Sequence, residues 1–327
     1  MKSPLKSRTF TNYGNALFET GNIEGAIIQY QKAIEINPEH VNAYYNLGNA
    51  MNRFGQRDQA SAYFNHTLAL NPGHVNARVN LADILLQQDE PDEAIRHFLI
   101  ILKYYPDNVE ANMGMGKALN QKGQKARALA YFQNANKNIP LEPQTIIKLG
   151  VAFYELGDVD RAVALYKKAI SIAPDSSDAY FNLGNAMVGL KKTKRAIDYF
   201  QRTLLLKPDH IEAHNNLANA LINQGKINEA ISHFQIILDK QPDHLEANIN
   251  LGAALARTGN IDAALSRYRS AIKKAPYNPE AYNNMGVLFV QKKMYGEARA
   301  HFQKAINLRP GYASAASNLR RLEQIGK

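Results

Sequence analysis

The thirty-four residues from Val41 to His74, VNAYYNLGNAMNRFGQRDQASAYFNHTLALNPGH, are copied along the rest of the chain. Ten prolines stand at one spacing of 34: Pro4, Pro38, Pro72, Pro106, Pro140, Pro174, Pro208, Pro242, Pro276 and Pro310. Each interval holds one alanine in register: Ala26, Ala60, Ala94, Ala128, Ala162, Ala196, Ala230, Ala264 and Ala298. Four residues later comes an aromatic: Tyr30, Phe64, Phe98, Phe132, Tyr166, Phe200, Phe234, Tyr268 and Phe302. The full repeats are 7–40, 41–74, 75–108, 109–142, 143–176, 177–210, 211–244, 245–278 and 279–312. A period of this length, punctuated by a small residue, an aromatic and a proline, marks a repeated helix pair. Each pair buries its apolar face only against its neighbours, so ordinary domain-size priors do not apply.

Within 41–74 the first helix is predicted over about Asn42 to Phe54, and the second over about Asp58 to Leu70. Gly55 can take the left-handed conformation that ends a helix, and Pro72 prevents the second from continuing. Gly48 and Ala60 are small where the two helices touch, with Leu47, Phe64 and Leu68 around that contact. The turn glycine is replaced by Asp89, Lys191 and Lys293 in three repeats, which predicts side-chain-bearing residues at positive φ. Pro91 falls near the start of its second helix, where proline is welcome. A longer period lies above the first: repeat 41–74 shares 16 residues with repeat 177–210 but 10 with the adjacent repeat 75–108. Block 41–176 therefore reads as duplicated in block 177–312. Residues 313–327 read as a first helix without a second. Leu319 keeps the packing position there, Arg320 stands where Gly48 does, and Ser317, Arg321, Glu323 and Gln324 are expected in water, as in a polar cap.

These rows together resemble the tetratricopeptide repeat (TPR) family over nearly the whole length. The resemblance implies an all-α fold, a right-handed superhelical solenoid of nine helix pairs plus a C-terminal capping helix, with residues 1–327 as a single array. It also implies a protein–protein interaction scaffold that takes an extended peptide or a helix along its concave groove.

Composition narrows the alternatives. The net charge is +10, and it is uneven: repeat 75–108 carries three basic and six acidic side chains, repeat 177–210 six basic and three acidic. A basic surface favours acidic partners or nucleic acid. Lys191, Lys192, Lys194 and Arg195 cluster at one turn, but no aromatic stacking platform accompanies them, so nucleic acid is not the expected partner. Cysteine is absent, which removes disulfide and thiol chemistry. No apolar run approaches the length of a membrane span, and the first residues have no apolar core of a signal peptide behind them. The default expectation is a cytoplasmic chain. A second copy of the chain stands among its candidate partners.

No catalytic, cofactor or metal residues are expected. His40, His74, His210 and His244 share one repeat position, and one repeat spans two helix diameters, so equivalents lie roughly 16–20 Å apart. His97, His233 and His301 share another, in the second helix, and are separated in the same way. A single metal ion needs ligands within about 2.1 Å. Neither a phosphate-binding glycine loop nor a nucleophile elbow occurs, and the carboxylates are scattered.

The candidate binding residues lie on the first helix of each repeat. One position carries Asn12, Asn46, Asn80, Asn182, Asn216, Asn250 and Asn284; another, three residues on, carries Asn15, Asn49, Asn185 and Asn219. Residues three apart share a helix face, and an asparagine amide both donates and accepts, so it can grip a peptide backbone without reading side chains. The ladder is similar to the TPR arm of O-GlcNAc transferases, which implies backbone gripping in the groove and, as an alternative, a substrate-recruiting arm associated with a glycosyltransferase. A catalytic domain beyond Lys327 would mark that alternative. Asparagine there also serves to tie adjacent repeats together. The ladder is broken at Gly114, Lys117, Lys148 and Val151, which divides it into two patches. The residues one place before the first row are not basic, from Thr11 and Tyr45 to Asn283, which excludes the carboxylate clamp that some TPR arrays offer to chaperone C-termini.

Overall fold

The computed structural model describes residues 4–139 and 142–325. Residues 1–3, 140, 141, 326 and 327, Pro140 of the proline register among them, lie outside the described residues. The chain forms two compact units, Met1–Leu165 and Tyr166–Lys327. In the first unit the pairs are α1 (Pro4–Glu19) with α2 (Ile23–Ile36), α3 (Val41–Arg53) with α4 (Arg57–Leu70), α5 (Val75–Gln87) with α6 (Pro91–Tyr104), and α7 (Val109–Gln121) with α8 (Lys125–Lys137); α9 (Pro143–Glu155) and the start of α10 (Val159–Ile172) follow. The second unit holds the rest of α10, then α11 (Ser177–Gly189) with α12 (Thr193–Leu206), α13 (Ile211–Asn223) with α14 (Ile227–Lys240), α15 (Leu245–Arg257) with α16 (Ile261–Lys274), α17 (Pro279–Gln291) with α18 (Tyr295–Leu308), and the single α19 (Ala313–Ile325). The described residues contain no strand.

Local chemistry fixes the helix ends. Six first helices start on a side-chain cap: Asn108, Ser176 and Asn278 accept from the backbone N–H three residues on, satisfying a donor the helix itself leaves open. His74, His210 and His244 do the same through Nδ1, at 3.1, 3.4 and 3.2 Å from the amides of Ala77, Ala213 and Ala247. Three of the four histidines that share this repeat position are thus helix caps. The fourth, His40, instead meets the Ser7 hydroxyl at 2.7 Å, and that hydroxyl donates to the Ala33 carbonyl.

At the turn between the two helices of a pair, Gly21, Gly55, Gly123, Gly157, Gly225 and Gly259 have positive φ, and so do Asp89 at 61°, Lys191 at 57° and Lys293 at 60°. The left-handed region costs a lysine roughly 1–2 kcal/mol through its Cβ, and both lysines are exposed at these turns. Lys191→Gly and Lys293→Gly should therefore be neutral to stabilising by up to about 1 kcal/mol, the gain being partly offset by the freer unfolded chain. A lower denaturation midpoint for either variant would contradict this.

The core repeats with the sequence. In six repeats the second helix sends its aromatic ring against the glycine of its own first helix. A Cβ on Gly14, Gly48, Gly116, Gly184, Gly252 or Gly286 would come within 2.5 to 2.8 Å of a ring carbon of Tyr30, Phe64, Phe132, Phe200, Tyr268 or Phe302. The small residue expected between two helix backbones is thus a seat for the ring. Ala60 is fully buried beside it, and Tyr30, Leu47, Phe64, Leu68 and Leu81 form one cluster across three successive repeats. At the far end, Leu322 is buried and Leu319 packs beside it, while Arg320, Arg321, Glu323 and Gln324 are exposed as a cap requires. Ser317 differs from expectation, being half-buried. Its neighbour Asn318 donates to Asn283 Oδ1 at 3.0 Å, which draws this edge of α19 onto α17.

Candidate functional site

The two asparagine rows meet each other. The first-row amide of one repeat donates from Nδ2 to the second-row Oδ1 of the repeat before: Asn46 to Asn15 at 2.8 Å, Asn80 to Asn49 at 2.7 Å, Asn216 to Asn185 at 2.8 Å and Asn250 to Asn219 at 3.4 Å. In the first repeat the Tyr30 hydroxyl also donates to Asn15 Oδ1, at 2.9 Å. Burial pushes the Tyr30 phenol up to about 12, helped by Glu19, so it stays a donor at neutral pH. Eight of the eleven candidates are therefore inter-repeat braces. Asn182 bonds within its own helix, Nδ2 to the Asp178 carbonyl at 2.8 Å. Asn284 has Ala253 where a brace partner would stand; it bonds the Tyr268 hydroxyl and accepts from Asn283 Nδ2 at 3.2 Å. Asn12 is exposed.

Bracing does not exhaust these amides. Each asparagine has two N–H donors and two acceptor lone pairs. In the braces Asn46–Asn15, Asn80–Asn49 and Asn250–Asn219 the first-row residue spends one N–H and keeps its oxygen, and the second-row residue spends its oxygen and keeps its N–H groups. All the braced asparagines are half-exposed, so the two rows present an amide-rich face. The brace also holds each amide in one rotamer. A hollow among Asn15, Phe18, Glu19, Tyr30, Asn46 and Asn49 opens on this face.

At the interruption the Phe98 ring lies against Gly114. Repeat 75–108 carries Ala82 where most repeats carry the ring-seating glycine. A Cβ on Gly114, in the next repeat, would meet the Phe98 ring at 2.1, 2.4 and 2.7 Å. With its own seat filled by a methyl group, the ring occupies the place of an asparagine side chain. Gly114, Lys117 and Lys148 line a second hollow with Asn80, Asp83 and Glu110. The sequence marks these positions as ladder breaks, but their convergence on one hollow is visible only in the fold.

Two histidines come together that repeat spacing alone keeps apart. His214 on α13 and His233 on α14 face each other at 2.9 Å between Nδ1 atoms, and His214 Nε2 lies 2.9 Å from the Pro208 carbonyl. A carbonyl only accepts, so His214 donates from Nε2 and accepts at Nδ1, and His233 donates from Nδ1. Equal spacing separated His233 from its equivalents but not from a different position on the partner helix. Among the described residues no group of three or more metal-type ligands converges. The pair Arg78 and His97 stands at the matching positions of the first copy, 3.5 Å apart.

Burial holds His233 below its ordinary pKa, reinforced by His214 and opposed by Glu229. Burial lowers His97 too, with Arg78 adding and Glu93 opposing, and it lowers His40 and His74. A depressed folded-state pKa means that the unfolded chain takes up the proton first. This share of stability is complete above the unfolded value of about 6.5 and declines as pH falls through it towards the folded values. The melting temperature should drop between about pH 7.5 and about pH 5, and His233→Gln should flatten the drop. A melting temperature flat across that range would refute the assignment.

Helix pairs repeated every 34 residues, with an amide-lined face on the first helices, define an α-helical repeat array of the protein-interaction class. The chain belongs to the tetratricopeptide repeat (TPR) family. The family model described as TPR repeat matches residues 14–55 and 150–191, and those described as tetratricopeptide repeat match 53–99, 85–143, 177–210, 215–279 and 254–313. No curated protein sequence matches the chain. Among solved structures, YrrB, a TPR protein with an unusual peptide-binding site, is 24% identical; the match covers 57% of this chain and 96% of that one, with a TM-score of 0.51. The Cut9–Hcn1 hetero-tetramer of the APC/C matches at 15% identity over 97% of this chain and 76% of that one, with a TM-score of 0.58. These likenesses carry the fold. TPR proteins are typically scaffolds rather than catalysts, and among the described residues no helix is long and apolar enough to cross a membrane.

Proposed function

We propose that this chain is a protein-interaction scaffold whose first-helix face grips the backbone of an extended peptide through the asparagine rows. The observation that carries the proposal is the half-satisfied state of the braced amides. In Asn15–Asn46, Asn49–Asn80 and Asn219–Asn250 the brace fixes the rotamer and leaves donors and acceptors on a half-exposed face. Groups held in place before binding lose less conformational freedom on binding, which favours affinity. A backbone offers one N–H and one C=O per residue, and each brace offers both complements. That YrrB has a peptide-binding site on a related array supports the same class of ligand.

The test uses peptides selected on the wild-type chain from a random-peptide display library. Asn182, Asn216 and Asn250 lie one repeat apart in the second unit, and all three are replaced by alanine. Removing the Asn216 and Asn250 braces should lower the melting temperature, since each hydrogen bond contributes about 0.5–1.5 kcal/mol. If the row grips peptide, affinity should also fall by about tenfold or more, each lost bond costing a similar amount of binding. Unchanged affinity of the folded variant would leave the rows as braces only.

A further inference from the structure

Asparagine amides grip backbone and are indifferent to side chains, so selectivity has to come from elsewhere on the face. The hollow between α5, α7 and α9 measures about 200 Å³ and is lined by Asn80 and Asp83, by Glu110, Gly114 and Lys117, and by Lys148. Glu110, Gly114 and Lys117 follow at i, i+4 and i+7 on α7, so they form one stripe continuous with the asparagine rows. Among the described residues neither Lys117 nor Lys148 forms an ion pair or a side-chain hydrogen bond, and both are exposed. Asp83 is half-buried and likewise unpaired among the described residues. Burial pushes its carboxyl up against the pull of Lys117, and Glu110 adds to the rise while Lys148 opposes it.

The duplication within the chain supplies a control. In block 177–312 the positions of Asp83, Lys117 and Lys148 are held by Asn219, Ala253 and Asn284. The same helix pairs form there without these charges, so folding does not demand them. Glu110 differs, because its counterpart is Glu246 and both sit in the first turn of a helix, where a carboxylate favours the helix end. The charges left over after folding is accounted for are two lysines and one carboxyl that burial biases towards its neutral form.

We propose that this hollow is a selectivity subsite that takes an acidic side chain of the bound segment, its carboxylate lying between the Lys117 and Lys148 ammonium groups. The proposal rests on the backbone-gripping reading above and adds to it a preference for sequence. Two unpaired ammonium groups beside one hollow complement a single carboxylate. A neutral Asp83 carboxyl would donate its proton as a hydrogen bond to the incoming carboxylate; an ionised one would repel it. Lys117 and Lys148 are therefore the attractive elements, and the burial that raises the Asp83 pKa eases its repulsion of the incoming carboxylate.

Random-peptide display on the wild-type chain tests this, set beside Lys117→Ala/Lys148→Asn. That variant carries the residues the second copy tolerates at these positions, so it is expected to fold, and its melting curve checks that. Peptides selected by wild type should be enriched in Asp or Glu at one place, and changing that residue to Gln or Asn should weaken binding about tenfold. Against the double variant the two peptides should bind alike. Asp83→Asn, which brings in the residue that Asn219 supplies in the second copy, should bind the acidic peptide as tightly as wild type or more so. Selected peptides with no acidic preference, or a preference that survives in the double variant, would overturn the subsite and leave backbone gripping intact. Weaker binding by Asp83→Asn would overturn the role given to Asp83. Recovery of no peptide at all by wild type would remove both proposals.

Discussion

Phe64→Ala is expected to destabilise the N-terminal unit by about 4 kcal/mol, within the range for deleting a buried aromatic side chain. The ring is fully buried. It fills the seat over Gly48, where a Cβ would come within 2.7 Å of it, and joins one cluster with Tyr30, Leu47, Met51, Ala60 and Leu81. Those residues come from three successive repeats, so one ring holds together both its own pair and the contacts on either side. A glycine beneath the ring cannot expand into the space, and Ala60 beside it cannot either. The cavity therefore stays largely open, and the cost of a residual cavity adds to the lost transfer energy. Because each repeat packs only on its neighbours, the damage should be local. Amide hydrogen exchange should accelerate most in α3, α4 and the facing turns of α5, and least in α8 of the same unit. Uniform acceleration through α8 would show that this unit unfolds only as a whole.

The fold was almost wholly legible because the features that determine it recur. The glycine seat, buried alanine, aromatic ring and stopping proline each carry a steric requirement that only a few residue types meet, and repetition separates requirement from accident. Even the exceptions were legible: Asp89, Lys191 and Lys293 sit where the register demands positive φ, and they adopt it. The candidate site was legible as rows but not as contacts. Sequence spacing placed the asparagines on one face, yet it did not reveal that the Nδ2 of one row reaches the Oδ1 of the other across the repeat boundary. That depends on the stacking distance between first helices, which no single repeat encodes. The meeting of His214 with His233 lies within one repeat and depends on how α14 packs on α13, which spacing between equivalent positions does not show. Lys117 and Lys148 read as interruptions of a pattern. Only the stacking of α5, α7 and α9 turns them into walls of one hollow.

Gly114→Asn, which would restore the missing rung of the ladder, should instead destabilise the chain by about 3 kcal/mol, near the upper end for overpacking a filled core. The new Cβ would meet Phe98 ring carbons at 2.1 to 2.7 Å, and Phe98 is fully buried, so the ring has no open space to enter. Its only other seat is the one the other repeats use, over the small residue of its own first helix, and here that residue is Ala82. Ala82→Gly should therefore reopen the seat. Alone it costs about 1 kcal/mol, the helix-propensity difference between alanine and glycine. Combined with Gly114→Asn it should recover most of the loss, a coupling of about 1–3 kcal/mol in a double-mutant cycle. The second copy shows the same conflict in milder form. Ala218 stands there for the glycine, Asn250 is retained where Gly114 would be, and the Asn250–Asn219 brace is the longest of the four at 3.4 Å. Denaturant titration of the four chains decides the matter: if the two substitutions simply add, the ring is not displaced by the Ala82 methyl, and the break in the ladder needs another cause.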